Sequence, residues 1–248
     1  MGLENLADLG LDRNWVESAS GSVADSVPHA VVGRHSVRAF LPKAIEKSVI
    51  DELLTIAHLA PSGSNLQPWK VHVMFAKKLR ELGNDMQQTY LAKEPGHKRE
   101  YNYYEISWVD FEPYATRRQK CGWGLYNALQ IARHEKERLA KQRSMNFNFF
   151  HAPVAFLFTI DRRLELGSWI DYGIFLQSLN LMARARGLHT CTMASVSEFP
   201  KVVRRNLPIG EDEIVMCGMA LGYKDETAQI NSFRLGRAPL SEFAKFYD

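Results

Sequence analysis

Two stretches, Val154 to Ile160 and Ile214 to Leu221, constrain the fold of this chain more than any others. Each is an apolar run of strand length with no alternation of polar residues. A strand with one face in water alternates, so unbroken runs predict strands covered on both faces. The flanking sequence supplies the cover. Val49, Ile50, Leu53, Leu54, Ile56 and Ala57 recur at helical spacing within 46–59. Further helices are predicted over 77–93, 116–132, 134–147 and, as a short one, 199–207. In 169–186 the residues Ile174, Phe175, Leu176, Leu179, Leu181 and Met182 leave few polar positions, which predicts a helix buried nearly all round, in a core or at a subunit interface. Ser168 with Asp171 three residues on reads as its box-like start, and Gly187 as its stop. Trp69 to Phe75 alternates like a strand with two unlike faces, and Leu188 to Met193 reads as a short strand. The sum is an α+β fold with a central sheet covered by helices on both sides.

Composition narrows the class. With 46% hydrophobic and 24% charged residues the chain is ordinary globular material. No internal repeat or linker divides it, so residues 31–248 read as one domain behind an N-terminal arm, 1–30, whose Ser18 to Ser26 is rich in Ser, Gly and Ala. The net charge of +3 comes without a long basic run, which argues against a nucleic-acid partner. No apolar run approaches the roughly 18 residues of a membrane span, and the start lacks a signal-peptide pattern. Cys121, Cys191 and Cys217 are scattered and odd in number, which suits buried thiols in a reducing cytoplasm.

Two polar stretches carry the chemistry. Ala60 to Trp69 places Ser62, Ser64, Asn65 and Gln67 between Pro61 and Pro68, where a plain surface turn needs fewer hydrogen-bonding groups. Upstream, Arg34-His35-Ser36-Val37-Arg38 offers two forked cations and a hydroxyl, a set able to grip a phosphate or to form an exposed basic turn. Taken together, Arg-His-Ser-x-Arg followed by Pro-Ser-x-Ser-Asn-x-Gln-Pro-Trp resembles the flavin-dependent nitroreductase family, from about Val31 to the C-terminus. The resemblance implies a nitroreductase-like fold with a central mixed sheet, built as an intertwined homodimer with two FMN cofactors at the interface. It implies that Arg34, His35, Ser36 and Arg38 belong to one cofactor-binding segment, with Arg34 and Ser36 reaching the phosphate and Arg38 the pyrimidine edge. Pro61, Ser62, Ser64 and Asn65 would serve the flavin held by the other subunit. Thr192, Met193, Ala194 and Ser195 would bring a backbone N–H near flavin N5, where many relatives have an acidic residue and a glycine. Arg237, with Arg234 beside it, would complete the phosphate contacts from a C-terminal basic loop.

Other constellations fall away. There is no Gly-x-Gly-x-x-Gly, and Ser195 is not in Gly-x-Ser-x-Gly. His134 and Glu135 lack the second histidine of a zinc helix, His35 and His58 have no metal spacing, and His189 reads as structural. No metal is expected. Glu94 to Tyr114 holds Tyr101, Tyr103, Tyr104, Trp108, Phe111 and Tyr114. It reads either as an aromatic cluster under a long loop or as a lid, in an insertion near 94–118, over a flat substrate touched by Tyr104 and Trp108.

The expected activity is reduction of small nitroaromatic compounds by NAD(P)H, in ping-pong fashion, with the flavin carrying the hydride and no side chain required as acid. Alternatives on the same scaffold are reduction of quinones or enones, flavin breakdown, and reductive dehalogenation, for which Tyr104, Glu105 and Lys120 permit contacts. A non-catalytic FMN-binding protein is the alternative from another class.

Overall fold

The computed structural model describes residues 23–104 and 111–248. Four strands form one sheet in the order β1-β2-β4-β3: β1 (Lys70–Phe75), β2 (Val154–Asp161), β3 (His189–Met193) and β4 (Glu213–Gly222). The two unbroken apolar runs are the two central strands. All three ladders are antiparallel, and among the described residues the parallel pairing is an isolated bridge, Ser36 to Thr190, that lays the basic motif against β3.

Eight α-helices surround the sheet among the described residues: α1 (Val27–Gly33), α2 (Lys47–Ala57), α3 (Ala76–Leu91), α4 (Tyr114–Ala128), α5 (Lys136–Ser144), α6 (Leu166–Ala185), α7 (Pro200–Asn206) and α8 (Leu240–Phe243). One sheet face, through Met74, Ala155, Leu157 and Val215, packs on Leu79, Leu82 and Met86 of α3 and Val202 and Val203 of α7. The other, through Phe156, Phe158, Met219 and Leu221, packs on Ile50 and Leu53 of α2 and Tyr172, Phe175 and Leu179 of α6. Two apolar layers around β2 and β4 account for the missing alternation in their sequences. Within β4, Gly218 is required by close approach: a Cβ there would lie 2.7 Å from the Phe149 ring and 2.9 Å from Val196.

Three expectations change. The stretch 27–33, read only as a lead into the basic motif, is a helix; Pro28 suits its first turn and the Ser26 hydroxyl accepts the His29 N–H. Ser168 does not cap α6. Asp161 accepts the Arg163 N–H at 3.0 Å, the chain turns directly after β2, and the helix starts at Leu166, leaving Ser168 buried in its first turn. The α6 helix is also not covered all round within one chain. Tyr172, Phe175, Leu179 and Ala183 are buried, whereas Leu166, Ile170 and Ile174, one turn apart on the opposite face, are exposed. Gly187 ends the helix as expected, with φ +67°.

Candidate functional site

The basic motif leaves α1 as an extended segment along the outer edge of β3, where the Val37 N–H donates to the Thr190 carbonyl at 3.0 Å. Extended backbone alternates its side chains. Val37 therefore points into the core, fully buried, while Arg34, Ser36 and Arg38 gather about Cys191. Burial pushes the Cys191 thiol up, against the opposing influence of Arg38, Ser36 and Arg34. The C-terminal loop brings Arg237 to the same place. Burial, and then the charge of Arg237, hold the Arg34 guanidinium below its ordinary range. Among the described residues no carboxylate pairs with Arg34, Arg38 or Arg237; Arg38 donates to the Ser36 carbonyl and Arg237 to the Leu235 and Gly236 carbonyls.

A missed residue ties these segments together. Asn231 is buried; its Oδ1 accepts the Arg38 N–H at 2.8 Å and its Nδ2 donates to the carbonyls of Ala39 and Asp225. The amide thus fixes the basic motif to the loop that carries Arg237. An asparagine in a polar loop carries no sequence signal for such a role, because its partners are 193 and 192 positions away.

His35 and Arg234 are charge neighbours within the same basic segments. His35 Nδ1 lies 3.1 Å from the Gly33 carbonyl, its Nε2 is buried with no protein partner, and its ring meets His189 edge-on. Burial, then the charge of Arg234, push its pKa down to about 2, so the ring is neutral at any working pH. Burial also brings Arg234 down to about 10; its Nη1 donates to the Asn231 carbonyl, and Glu226 and Arg184 are its charged neighbours. His189 is buried with Arg184 Nη1 2.8 Å from its Nε2, which fits the structural reading.

At the end of β3, Thr192 is exposed and Met193 is buried opposite Gly218. Ala194–Glu198 then makes a short turn, closed by the Ser197 hydroxyl donating to the Ala194 carbonyl at 2.7 Å. Ser195 Oγ is buried there with no protein partner.

The loop with Pro61, Ser62, Ser64 and Asn65 is built elsewhere. Ser64, Asn65 and Gln67 all have positive φ, at 50°, 56° and 49°. The Ser62 hydroxyl accepts the Gln67 N–H at 2.9 Å, and Asp171 of α6 accepts the Gly63 N–H at 3.0 Å. These bonds run within the loop and to α6, not to the arginine cluster of the same chain.

The insertion is pinned at its base. Arg99 pairs with Glu198, and Glu100 pairs with Arg162 and Arg204 while accepting the Val215 N–H. Tyr101 donates to the Met216 carbonyl at 2.6 Å. Tyr103 and Tyr104, by contrast, are more than half exposed. Trp108 and Glu105 lie outside the described residues. Beyond the insertion, α4 buries no residue, and Gly124 allows it to touch the ring of Phe233, which a Cβ would approach to 2.5 Å.

Unneutralised cations about one point, with buried polar atoms of Ser195 and His35 left without protein partners, fit an anionic, hydrogen-bonding group such as the phosphate-bearing cofactor FMN. The fold and site thus define an α+β protein with a cluster of arginines at a sheet edge that lack carboxylate partners among the described residues. The nitroreductase family model matches residues 31–223, and the chain belongs to that family. It is 37% identical to a 4-nitrobenzoate reductase of Pseudomonas putida over 90% of this chain and 96% of the relative. It is 35% identical to a nitrobenzene nitroreductase of Ectopseudomonas oleovorans over 86% and 93%. Among solved structures it is similar to the FMN- and NADPH-dependent nitroreductase NfnB of a Sphigopyxis strain, with TM-score 0.86 and 30% identity over 90% of this chain and 99% of that one. The FMN-dependent NfnB of Mycobacterium smegmatis, solved with NADPH, superposes with TM-score 0.84 at 29% identity, over 92% of this chain and all of the other. No helix among the described residues is long and apolar enough to cross a membrane.

Proposed function

We propose that this chain is an FMN-containing nitroreductase that reduces small nitroaromatic compounds with NAD(P)H; the NADPH-dependent relatives favour NADPH as donor. The observation that carries the reading is the meeting of Arg34, Arg38 and Arg237, with no carboxylate partner, on a chain of this family. FMN, when bound, would supply the redox chemistry that links the nicotinamide donor to the nitro acceptor. The residues of the chain bind and orient. Arg34, Ser36 and Arg237 hold the phosphate, and Arg38 faces the electron-rich edge of the ring. His35, through its unpartnered Nε2, and Arg234 complete the cofactor site beside them. Thr192, Met193, Ala194 and Ser195 line the ring where hydride passes, through backbone N–H groups and the unpartnered Ser195 hydroxyl. Water supplies the protons.

The working unit is a homodimer. The exposed stripe Leu166, Ile170 and Ile174 needs a partner, and the loop 60–69 is built away from the arginines of its own chain, as a loop serving a second copy would be. Tyr104, exposed beyond the pinned Tyr101, is the described residue that reaches the substrate. Residues 31–248 act as one domain, and α1 runs across the start of it. Three free cysteines, two of them buried, suit the cytoplasm.

Arg237→Ala tests the reading. Losing one charge-assisted contact costs roughly 1.5–3 kcal/mol, so FMN affinity should fall about tenfold or more. Unchanged FMN retention on dialysis rejects the assignment, and absence of nitroarene reduction by FMN-loaded wild-type protein rejects the activity.

A further inference from the structure

We propose that α6 is a clamp for the loop 60–69 and that Asp171 is a positioning residue for the cofactor; this rests on the reading that the loop lines a flavin site. Ser64, Asn65 and Gln67 adopt the left-handed conformation without being glycine. Such backbone persists only where surrounding contacts over-determine it, and it collects at ligand clamps. The loop's internal bonds, Ser62 Oγ with the Gln67 N–H and the Ser62 carbonyl with the Asn65 N–H, shape it but do not place it. Two contacts from α6 place it. Asp171 Oδ2 accepts the Gly63 N–H at 3.0 Å. One turn further along the same face, Phe175 stacks on Trp69, with centroids 5.0 Å apart and planes 9° from parallel. Trp69 is turned further by donating its Nε1–H to His58 Nδ1 at 3.2 Å.

Residues four apart on a helix share a face. Asp171 and Phe175 therefore hold the two ends of the loop on one rigid surface, beside the exposed Ile170 and Ile174. The helix that presents the apolar stripe also sets the position of the Ser62, Ser64 and Asn65 side chains. Asp171 does this through the backbone of Gly63 and engages none of the loop's own side chains.

The test uses the full-length dimer with Asp171 changed to leucine, which removes the acceptor, and to asparagine, whose Oδ1 keeps it. FMN affinity by fluorescence quenching, apoprotein melting and elution volume are measured for each. The expected result is FMN binding weakened about tenfold or more in Asp171→Leu, near wild type in Asp171→Asn, with melting temperature and dimer retained in both. Wild-type affinity in Asp171→Leu overturns the clamp, as does an equal loss in both variants, because the hydrogen bond would then not be the cause. A wild-type protein that takes up no FMN overturns the underlying functional reading instead.

Discussion

The helices α6 and α4 look alike as long segments carrying aromatics and aliphatics, yet the fold treats them oppositely. Seven of the twenty residues of α6 are buried, and none of the fifteen of α4 is. Tyr172, Phe175, Leu179 and Ala183 recur at three- and four-residue steps, so one side of α6 is welded to the sheet. In α4, glycines at 122 and 124 interrupt the apolar positions, and the helix meets the body chiefly at Phe233 and through an Arg117–Glu242 pair at 2.7 Å. A helix held by a packed face transmits mutations as changes in stability. A helix held by a few surface contacts, beside an insertion that exposes Tyr103 and Tyr104, can change with little cost to the fold.

The largest expected effect is in the welded face. Leu179→Ala should cost about 2–5 kcal/mol of folding stability, read by thermal or denaturant melts of the apoprotein. A loss of less than about 1 kcal/mol would mean that α6 is no more firmly seated than α4. Next comes the opposite face of the same helix. Ile170→Asp should leave each chain folded but weaken the dimer by about 2 kcal/mol or more, visible as a shift toward monomer on dilution. An unshifted dimer would place the interface elsewhere.

A smaller effect is expected in the insertion. Tyr104→Ala should change the preference between two nitroarenes about threefold or more, the scale of one aromatic contact, with apoprotein melting nearly unchanged because the side chain is exposed. An unchanged ratio with a large stability loss would make the aromatics a structural cluster. The smallest is Arg117→Ala. Both side chains of its ion pair are about half exposed, so stability should move by no more than about 0.5 kcal/mol. A larger loss would show that α4 depends on that pair for its place.

These contrasts separate what was legible in the sequence from what was not. The two unbroken runs announced doubly covered central strands, and 46–59, 77–93 and 169–186 announced the helices that cover them, within a few residues of α2, α3 and α6. Periodicity is a local property, and burial on both faces leaves a local trace. The basic motif and the Pro-Ser-x-Ser-Asn loop were visible as chemistry for the same reason: unusual donors lie close together in the chain. The helix α1 was missed because one turn of apolar residues after a proline has no period to read. Ser168 and Asp171 were read as a cap because their spacing allows one; the start of α6 was decided by the turn after β2.

The sequence by itself determined that β2 and β4 would be interior, that helices would lie on both faces, and that arginines and hydroxyls would be available for an anion. The family resemblance implied that Arg237 joins Arg34; only the tertiary structure decided that Asn231 locks Arg38 to the C-terminal loop and that Asp171 serves Gly63 rather than its own helix. The physical reason is range. Hydrophobic patterning acts through neighbours three or four residues apart, whereas Asn231 and Asp171 act through single hydrogen bonds to partners more than a hundred residues away, and such bonds leave no pattern until the sheet has brought the segments together.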